Sequence, residues 1–480
     1  MPSLPHIPVL RHGPAYESLD TVEVRDHRTG TPLAVVSQAN AGIVRRDLRK
    51  AAPRAAALRA RPIDELLDLC ARAVEPFLEG TLPLNDAGDE QSADDYVRSL
   101  SATSGMPHAL VRANMEKIAT VLRDMPAILR GLTRGLDPAV LDSGVGVQNG
   151  VPVSYADAAD ALGVVLPSNS PGVNSIWLPA LALKTPVVLK PGREEPWTPL
   201  RILRALEAAG FPREAFGFYP TTHDGAAAIL EGCGRSQLFG DARTTAPYAA
   251  NPAVEIHGPG RSKVVIGPDE ADGWESHLDV LVASVARNGG RSCINASTIV
   301  VPAHGDAVAE ALAARLAAIE PLPADDPDAT LCAFANPSVA EWIDGAIERG
   351  LAAGGAADVT ARHRDGDRSV TLDGSTYLRP TVVRCERPDH ELANTEFLFP
   401  YVAVVEVPSE HVVSTIGPSL VVTAITRDPA LRQALIRSPH VERLNLGPIP
   451  TSHVDWDQPH EGNLFEFLRV RRAVARGEGW

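Results

Sequence analysis

The sequence predicts an α/β fold with two domains, each built on a parallel sheet, and a small β element between them. Three observations carry this prediction. Strand-like and helix-like runs alternate between Leu162 and Ile266, a second cycle of the same kind follows, and a hairpin signal stands apart from both at Asn149–Gly150. The chain has 480 residues, 44% hydrophobic and 22% charged, a globular profile long enough for two or three domains.

The opening stretch, "MPSLPHIPVLRHG", has no basic segment followed by an apolar core, so no secretory signal is expected and the chain reads as cytoplasmic. From Val36 to about Leu132 apolar residues recur at helical spacing, as in "IDELLDLCARAVEPFL" and "ALVRANMEKIATVLRDMPAIL", with the break "GTLPLNDAGDEQS" between them. "GVGVQNGVPVSY" then gives two short alternating runs around Asn149 and Gly150, a pairing that favours a tight hairpin turn. Such a hairpin is too small to fold alone and needs another surface for its apolar side.

Between Leu162 and Ile266 the runs are "LGVVLP", "SIWLPALAL", "TPVVLK", "PLRILRALEAAG" and "FGFYP", which imply right-handed βαβ units. The second cycle runs from "SKVVIG" through "WESHLDVLVASVARNGG" to "STIVVP" and "AVAEALAARLAAI". The longest charge-free run, Ala161 to Leu183, is broken by Pro167, Ser168, Asn169, Ser170 and Pro171, so it reads as strand, loop and helix and not as a membrane span. Lys and Arg number 45 against 60 Asp and Glu, a net charge of −15, and no basic block stands out, which argues against nucleic-acid binding. Small molecules are the expected partners.

Five cysteines, Cys70, Cys233, Cys293, Cys332 and Cys385, are odd in number, far apart and without CxxC pairing, so neither a disulfide framework nor a zinc site is expected. Four lie in apolar-periodic or strand contexts and read as structural. Cys293 differs. It lies in "NGGRSCINAS", where Asn288, Gly289 and Gly290 terminate the helix from Trp274 to Arg287. A loop cysteine flanked by glycines leaves room for substrate at sulfur, and Arg291 is expected to favour the thiolate. The competing reading is a small buried hydrophobe. Upstream, "LPSNSPGVNSIW" sets Asn169 at a strand end, with Ser170 as N-cap and Pro171 at the first helical position. An amide there suits an oxyanion donor, or a turn bonding its own backbone.

The order "SNSP", "PALALKTPVVLKPGREEPWTPL", "AAGFPREAFGFYP", "VEIHGPGRSKVVIGPDEAD", "NGGRSCINASTIVV", "GSTYLRPTVV" and "NTEFLFPYVAVVEV" resembles the aldehyde dehydrogenase superfamily, from about residue 135 to 410. The resemblance implies an aldehyde dehydrogenase-like fold. Its two Rossmann-like α/β domains would be a cofactor-binding domain over residues 1–140 and 156–254 and a catalytic domain over 255–444. A β oligomerisation element would take 141–155 and 445–480, giving a homodimer or homotetramer. It further implies that Cys293 attacks an aldehyde, that Asn169 and the Cys293 backbone N–H hold the oxyanion, and that hydride passes to NAD or NADP, leaving a thioester. Glu255 matches the glutamate that activates water; taken alone it would be a solvated strand-end carboxylate. Lys190 matches the lysine on the adenine ribose, and Glu396 the glutamate on the nicotinamide ribose.

Departures from the pattern carry expectations too. The Gly-Ser-Thr turn that receives the pyrophosphate is matched only by Gly240, followed by Asp241, and a carboxylate beside phosphate is unfavourable. Leu398 stands in place of a phenylalanine. Arg193, three places beyond Lys190, stands where NAD-selective members carry a glutamate, so NADP is expected to be accepted. "HGPGRSK" lacks the spacing of a phosphate loop. The C-terminal Pro-Phe-Gly-Gly stretch is replaced by "HVDWDQPHEGNLFEFL"; its His453, Asp455, Asp457 and His460 lack helical metal-ligand spacing, so it reads as a substrate-side or interface loop and no metal is expected. The leading expectation is NAD(P)-dependent oxidation of an aldehyde to its acid. A CoA-acylating enzyme using an acyl-CoA is the alternative, favoured by the short Asn169–Pro179 segment. A lapsed binding or assembly protein is a third reading, suggested by the altered Gly-Ser-Thr turn.

Overall fold

The computed structural model describes residues 4–475 and 477. The outer limits predicted for the domains, at residues 1–3 and 478–480, lie outside the described residues, as does residue 476. Two seven-stranded sheets organise the chain. The first runs in the order Val254–His257, Gly234–Phe239, Ala161–Val165, Val187–Lys190, Phe216–Phe218, Val9–Arg11 and Ala15–Tyr16. Its first five strands are parallel, as the alternation predicts; Val9–Arg11 adds on antiparallel. Its central strands are buried on both faces, because helices cover each side of a parallel sheet and leave no solvated face to carry polar residues. Trp177, Trp197 and Phe218 fill the space beneath it.

The second sheet runs Ala356–Asp358, Thr381–Cys385, Tyr401–Glu406, Ala296–Val301, Ser262–Ile266, Ser419–Ile425 and Val441–Leu446, all parallel except the first. Separate apolar clusters lie on its two faces. These pairings move two predicted limits. Val254–His257 belongs to the first sheet, so that domain runs past 254 to His257. Val441–Leu446 belongs to the second, so the C-terminal segment begins after 446 and not at 445. Strand pairing decides both, and neither is visible in composition.

Between Val36 and Leu132 the helices His108–Arg123, Ala93–Ser104 and Ile63–Arg72 dominate, as expected, but Val36 itself lies in the strand Pro32–Ser37. The hairpin forms as predicted: Val145–Gln148 pairs antiparallel with Val151–Asp157 around Asn149 (φ 51°) and Gly150 (φ 79°). Both turn residues are left-handed, the geometry that matches strand twist. A third strand, Arg469–Arg472, completes this small sheet, whose Val147, Val151 and Val470 are exposed. Among the described residues no helix is long and apolar enough to cross a membrane.

Candidate active site

The first sheet grows in one direction from Ala161–Val165 through Val187–Lys190 to Phe216–Phe218, then resumes on the other side with Gly234–Phe239. At such a switch point the loops beyond the carboxyl ends of adjacent strands diverge and open a crevice. Here they do so. Pro167, Ser168 and Asn169 from one loop, and Gly240 and Asp241 from the other, line a cavity of about 600 Å³. The facing wall comes from the amino ends of the second sheet: Cys293 precedes Ala296–Val301, and Glu396 precedes Tyr401–Glu406.

Cys293 is half-buried, whereas Cys70, Cys233, Cys332 and Cys385 are buried. Its loop turns through Asn288, Gly289 and Gly290, all with φ between 56° and 68°. Two glycines make that run possible at little steric cost. The Cys293 carbonyl accepts from Ser262 Oγ at 2.9 Å, fixing the loop to the second sheet. Burial raises the thiol pKa well above its ordinary value; Glu461 and Glu396 add to this, while Lys117 opposes it. Arg291 does not take the part expected of it. Its guanidinium turns away to the carbonyls of Ser104 and Ala333 and lies over the Phe334 ring. Adjacent position in sequence says nothing about side-chain direction.

Asn169 donates one N–H to the Arg291 carbonyl at 2.8 Å, leaving the other for an oxyanion. Pro171 begins a 3-10 helix, Pro171–Ser175, as predicted in position; Ser170 precedes it but makes no capping bond, and instead donates to Asn114 Oδ1 at 3.4 Å. Glu396 accepts from the Arg261 N–H at 2.7 Å, and burial raises its carboxyl pKa to about 7. Gly240 and Asp241 are on the wall, but Asp241 caps the short helix Ala242–Thr245 with its own carboxylate, accepting from Thr244 N–H at 2.7 Å. That bond lowers its pKa.

Three predicted residues are not part of the lining. Lys190 ends its strand half-buried, its pKa lowered by burial. Arg193 and Glu194 are both exposed, and of the two only Glu194 borders the cavity. The expectation drawn from Arg193 therefore loses its contact. Glu255 lines a second cavity of about 30 Å³ with Gln237, Trp456 and His460. Its Oε2 accepts from Gln237 Nε2 at 2.8 Å and faces His257 Nε2 at 3.3 Å. Gly462 closes over Oε1 so tightly that a Cβ there would collide with it.

His257 is the group that reaches the main cavity, and its Nδ1 bonds Glu461. Burial alone would keep its imidazole neutral, but Glu461 and Glu255 outweigh it and raise the pKa to about 10. His257, Glu194, Glu461 and Lys117 were not singled out from sequence. His257 had one signal: it lies two residues from Glu255 on a strand, hence on the same face.

Val454, of residues 447–463, packs against the small cluster of Ile294, Leu420 and Val421, as Cys293 also does. His453 pairs with Asp455 at 3.0 Å and His460 with Arg443 at 2.9 Å, and no group of three or more metal-ligating side chains occurs among the described residues.

The sequence profile of the Aldehyde dehydrogenase family matches residues 15–416. Curated protein sequences give no significant match. Among solved structures, the aldehyde dehydrogenase KauB from Pseudomonas aeruginosa is similar at TM-score 0.80 and 16% identity, over 98% of this chain and 96% of that one. Succinate-semialdehyde dehydrogenase from Burkholderia pseudomallei follows at 0.77 and 19%, over 98% of both chains. An aldehyde dehydrogenase from Bacillus cereus in complex with NAD+ gives 0.75 and 18%, over 98% of this chain and 96% of that one. At these identities the structural likeness establishes the fold.

Proposed function

This chain belongs to the aldehyde dehydrogenase family, and from that premise we propose that it oxidises an aldehyde through a thioester on Cys293, with a nicotinamide dinucleotide as hydride acceptor. One observation carries the reading: Cys293, Asn169 and Glu396 converge on a single cavity at a sheet switch point. The nucleophile and the oxyanion donor survive together there, which counts against a lapsed protein.

The residues fit the cofactor at both ends. Glu396, anchored by the Arg261 N–H, offers its remaining lone pairs to ribose hydroxyls beside Cys293, and Glu194 offers the same at the other end of the wall. Glu194 supports NAD over NADP, because a second carboxylate-facing phosphate is repelled. Asp241 fits least well, since its carboxylate fills the helix N-terminus where a diphosphate would bind. When bound, the nicotinamide accepts the hydride. The chain's own part is nucleophilic attack by Sγ and charge stabilisation by the free Asn169 N–H and the Cys293 backbone N–H.

For release of the acyl group, the geometry supports a thiol acceptor such as CoA over water. A water must be deprotonated, and Glu255 is held outside the cavity by Gln237, His257 and Gly462. His257, which does reach the cavity, is held protonated and is a donor. An incoming thiol needs far less help from a base. Hydrolysis is the second reading, supported by the Glu255–His257–Glu461 chain that links the two cavities. Steady turnover over an aldehyde panel, with and without CoA, tests this. We expect CoA to raise the steady rate at least tenfold over the CoA-free rate, and Cys293→Ser to abolish turnover while Cys332→Ser retains it. Full steady turnover without CoA overturns the thiol reading; an active Cys293→Ser overturns the nucleophile.

A further inference from the structure

We propose that His257 is a positioning residue that fixes the acyl acceptor: it immobilises Glu255 and stands between that carboxylate and the Cys293 cavity, so water there lacks a base. The inference rests on the thioester and the thiol acceptor proposed above, and begins from strand register. Gly234–Phe239 and Val254–His257 pair in parallel, with Gln237 opposite Glu255 and Phe239 opposite His257. Side chains two apart on a strand share a face, so all four lie together.

On that face Glu255 is engaged from two sides. Its Oε2 accepts from Gln237 Nε2 at 2.8 Å and faces His257 Nε2 at 3.3 Å. Its Oε1 lies under Gly462, where a Cβ would fall 2.2 Å from it. The second contact depends on His257 as well. Nδ1 of His257 bonds Glu461, the residue before Gly462, and so holds the turn that covers Oε1. That turn is tight: the His460 N–H donates to the Gly462 carbonyl at 3.1 Å, and Glu461 and Gly462 have φ of 52° and 108°. Glycine takes such angles freely, but Glu461 does so at a cost that persists only where contacts hold it. Phe239 stacks on the imidazole, 4.3 Å between centroids and 10° between planes, and fixes the ring itself.

The ring is also a partition. His257 borders the main cavity with Cys293, whereas Glu255 borders the small one with Gln237 and Gly462. Between Glu255 Oε2 and the main cavity stands the imidazole that Oε2 faces. Removing the ring frees a lone pair of Oε2, releases Glu461 and lets a water take the vacated space, with Glu255 on one side and the Cys293 cavity on the other. Hydrolysis then balances: the carboxylate takes a proton from that water as its oxygen bonds to the thioester carbon, the C–S bond breaks, and Sγ leaves with the electron pair.

The test isolates this step from cofactor and aldehyde. The full chain is acylated with p-nitrophenyl acetate, and loss of the acetyl group from the Cys293 peptide is followed by mass spectrometry, in buffer and in CoA. The parent is expected to keep its acetyl group in buffer and to lose it in CoA. His257→Gly is expected to speed the loss in buffer about tenfold or more, a modest part of what a general base supplies. Adding Glu255→Gln to His257→Gly should return the parent rate, a dependence that mere loosening of the site would not show. His257→Gln, which keeps a donor but not the charge, should gain less, and it takes the place of the glycine variant should that one not fold. If the variant used loses acetyl no faster than the parent, the role of His257 is overturned and the thiol reading stands. A gain that survives Glu255→Gln overturns it too. A parent that clears the group in buffer as fast as in CoA overturns both, and a parent whose Cys293 takes no acetyl group removes the nucleophile on which both rest.

Discussion

Replacing Glu255 with Gln removes one of two carboxylates that hold the His257 imidazolium, and the geometry fixes what should follow. Glu461 remains on Nδ1, so the buried cation keeps a partner. The new amide can also donate to Gln237 Oε1, which is buried and unpartnered in the parent. Breaking a buried pair outright costs about 3–5 kcal/mol; with one carboxylate left and one hydrogen bond gained, about 1–3 kcal/mol is expected. The pH dependence has a definite sign. The folded-state pKa of His257, about 10, lies above its unfolded value, so this stabilisation is fully present below about pH 6.5 and is lost as pH rises through 10. Denaturant titrations should therefore show the largest penalty near pH 6 and almost none above pH 10. Activity should barely respond. A general base contributes roughly 10²–10⁴-fold, so if Glu255 served water directly, steady turnover would fall at least about a hundredfold while the first burst of reduced cofactor survived. With a thiol acceptor, steady turnover in CoA should stay within about threefold. A hundredfold fall with the burst intact would refute the assignment of Glu255 to a structural ion pair.

Other expectations follow from the same cavity. Asp241→Ser keeps a capping side chain and removes a charge from the diphosphate seat, so isothermal titration should show cofactor binding tighter by severalfold, about 1 kcal/mol. NAD should exceed NADP in kcat/KM by more than about tenfold, and Glu194→Ser should narrow the gap; a parent enzyme that prefers NADP would remove Glu194 from the ribose site. The exposed valines of the three-stranded sheet suit a subunit contact, so light scattering at micromolar concentration should report a dimer or tetramer, and Val470→Arg should dissociate it.

Much of this architecture could be read from residues close together in sequence. The parallel sheets followed from alternating runs, the hairpin from one dipeptide, Cys293 and Asn169 from loops whose glycines and prolines mark them as turns, and Gly240 and Glu396 only from the family resemblance. What escaped depended on direction and distance. Arg291 neighbours Cys293 but points to the carbonyls of Ser104 and Ala333. Glu255 and His257 share one strand face, and only the position of that strand's end decides which meets the cavity. Arg193 and Glu194 are both exposed, yet only Glu194 borders the cavity.

The 447–463 loop also bears on the order in which the molecule acquires its shape. The contact of Glu461 with His257 joins residues 204 apart, and the bond from Arg472 to Ser154 that closes the small sheet joins residues 318 apart. Closing such long intervals loses chain entropy before any contact repays it, so these pairings belong among the slow events of folding. The parallel strands of each sheet pair across shorter intervals and can form first. During that interval Cys293 already sits on its turn while His257 still lacks the Glu461 carboxylate on its Nδ1 that helps hold it charged. The charge on the cavity wall is therefore among the last features of the site to be set, and docking of the Glu461 loop sets it.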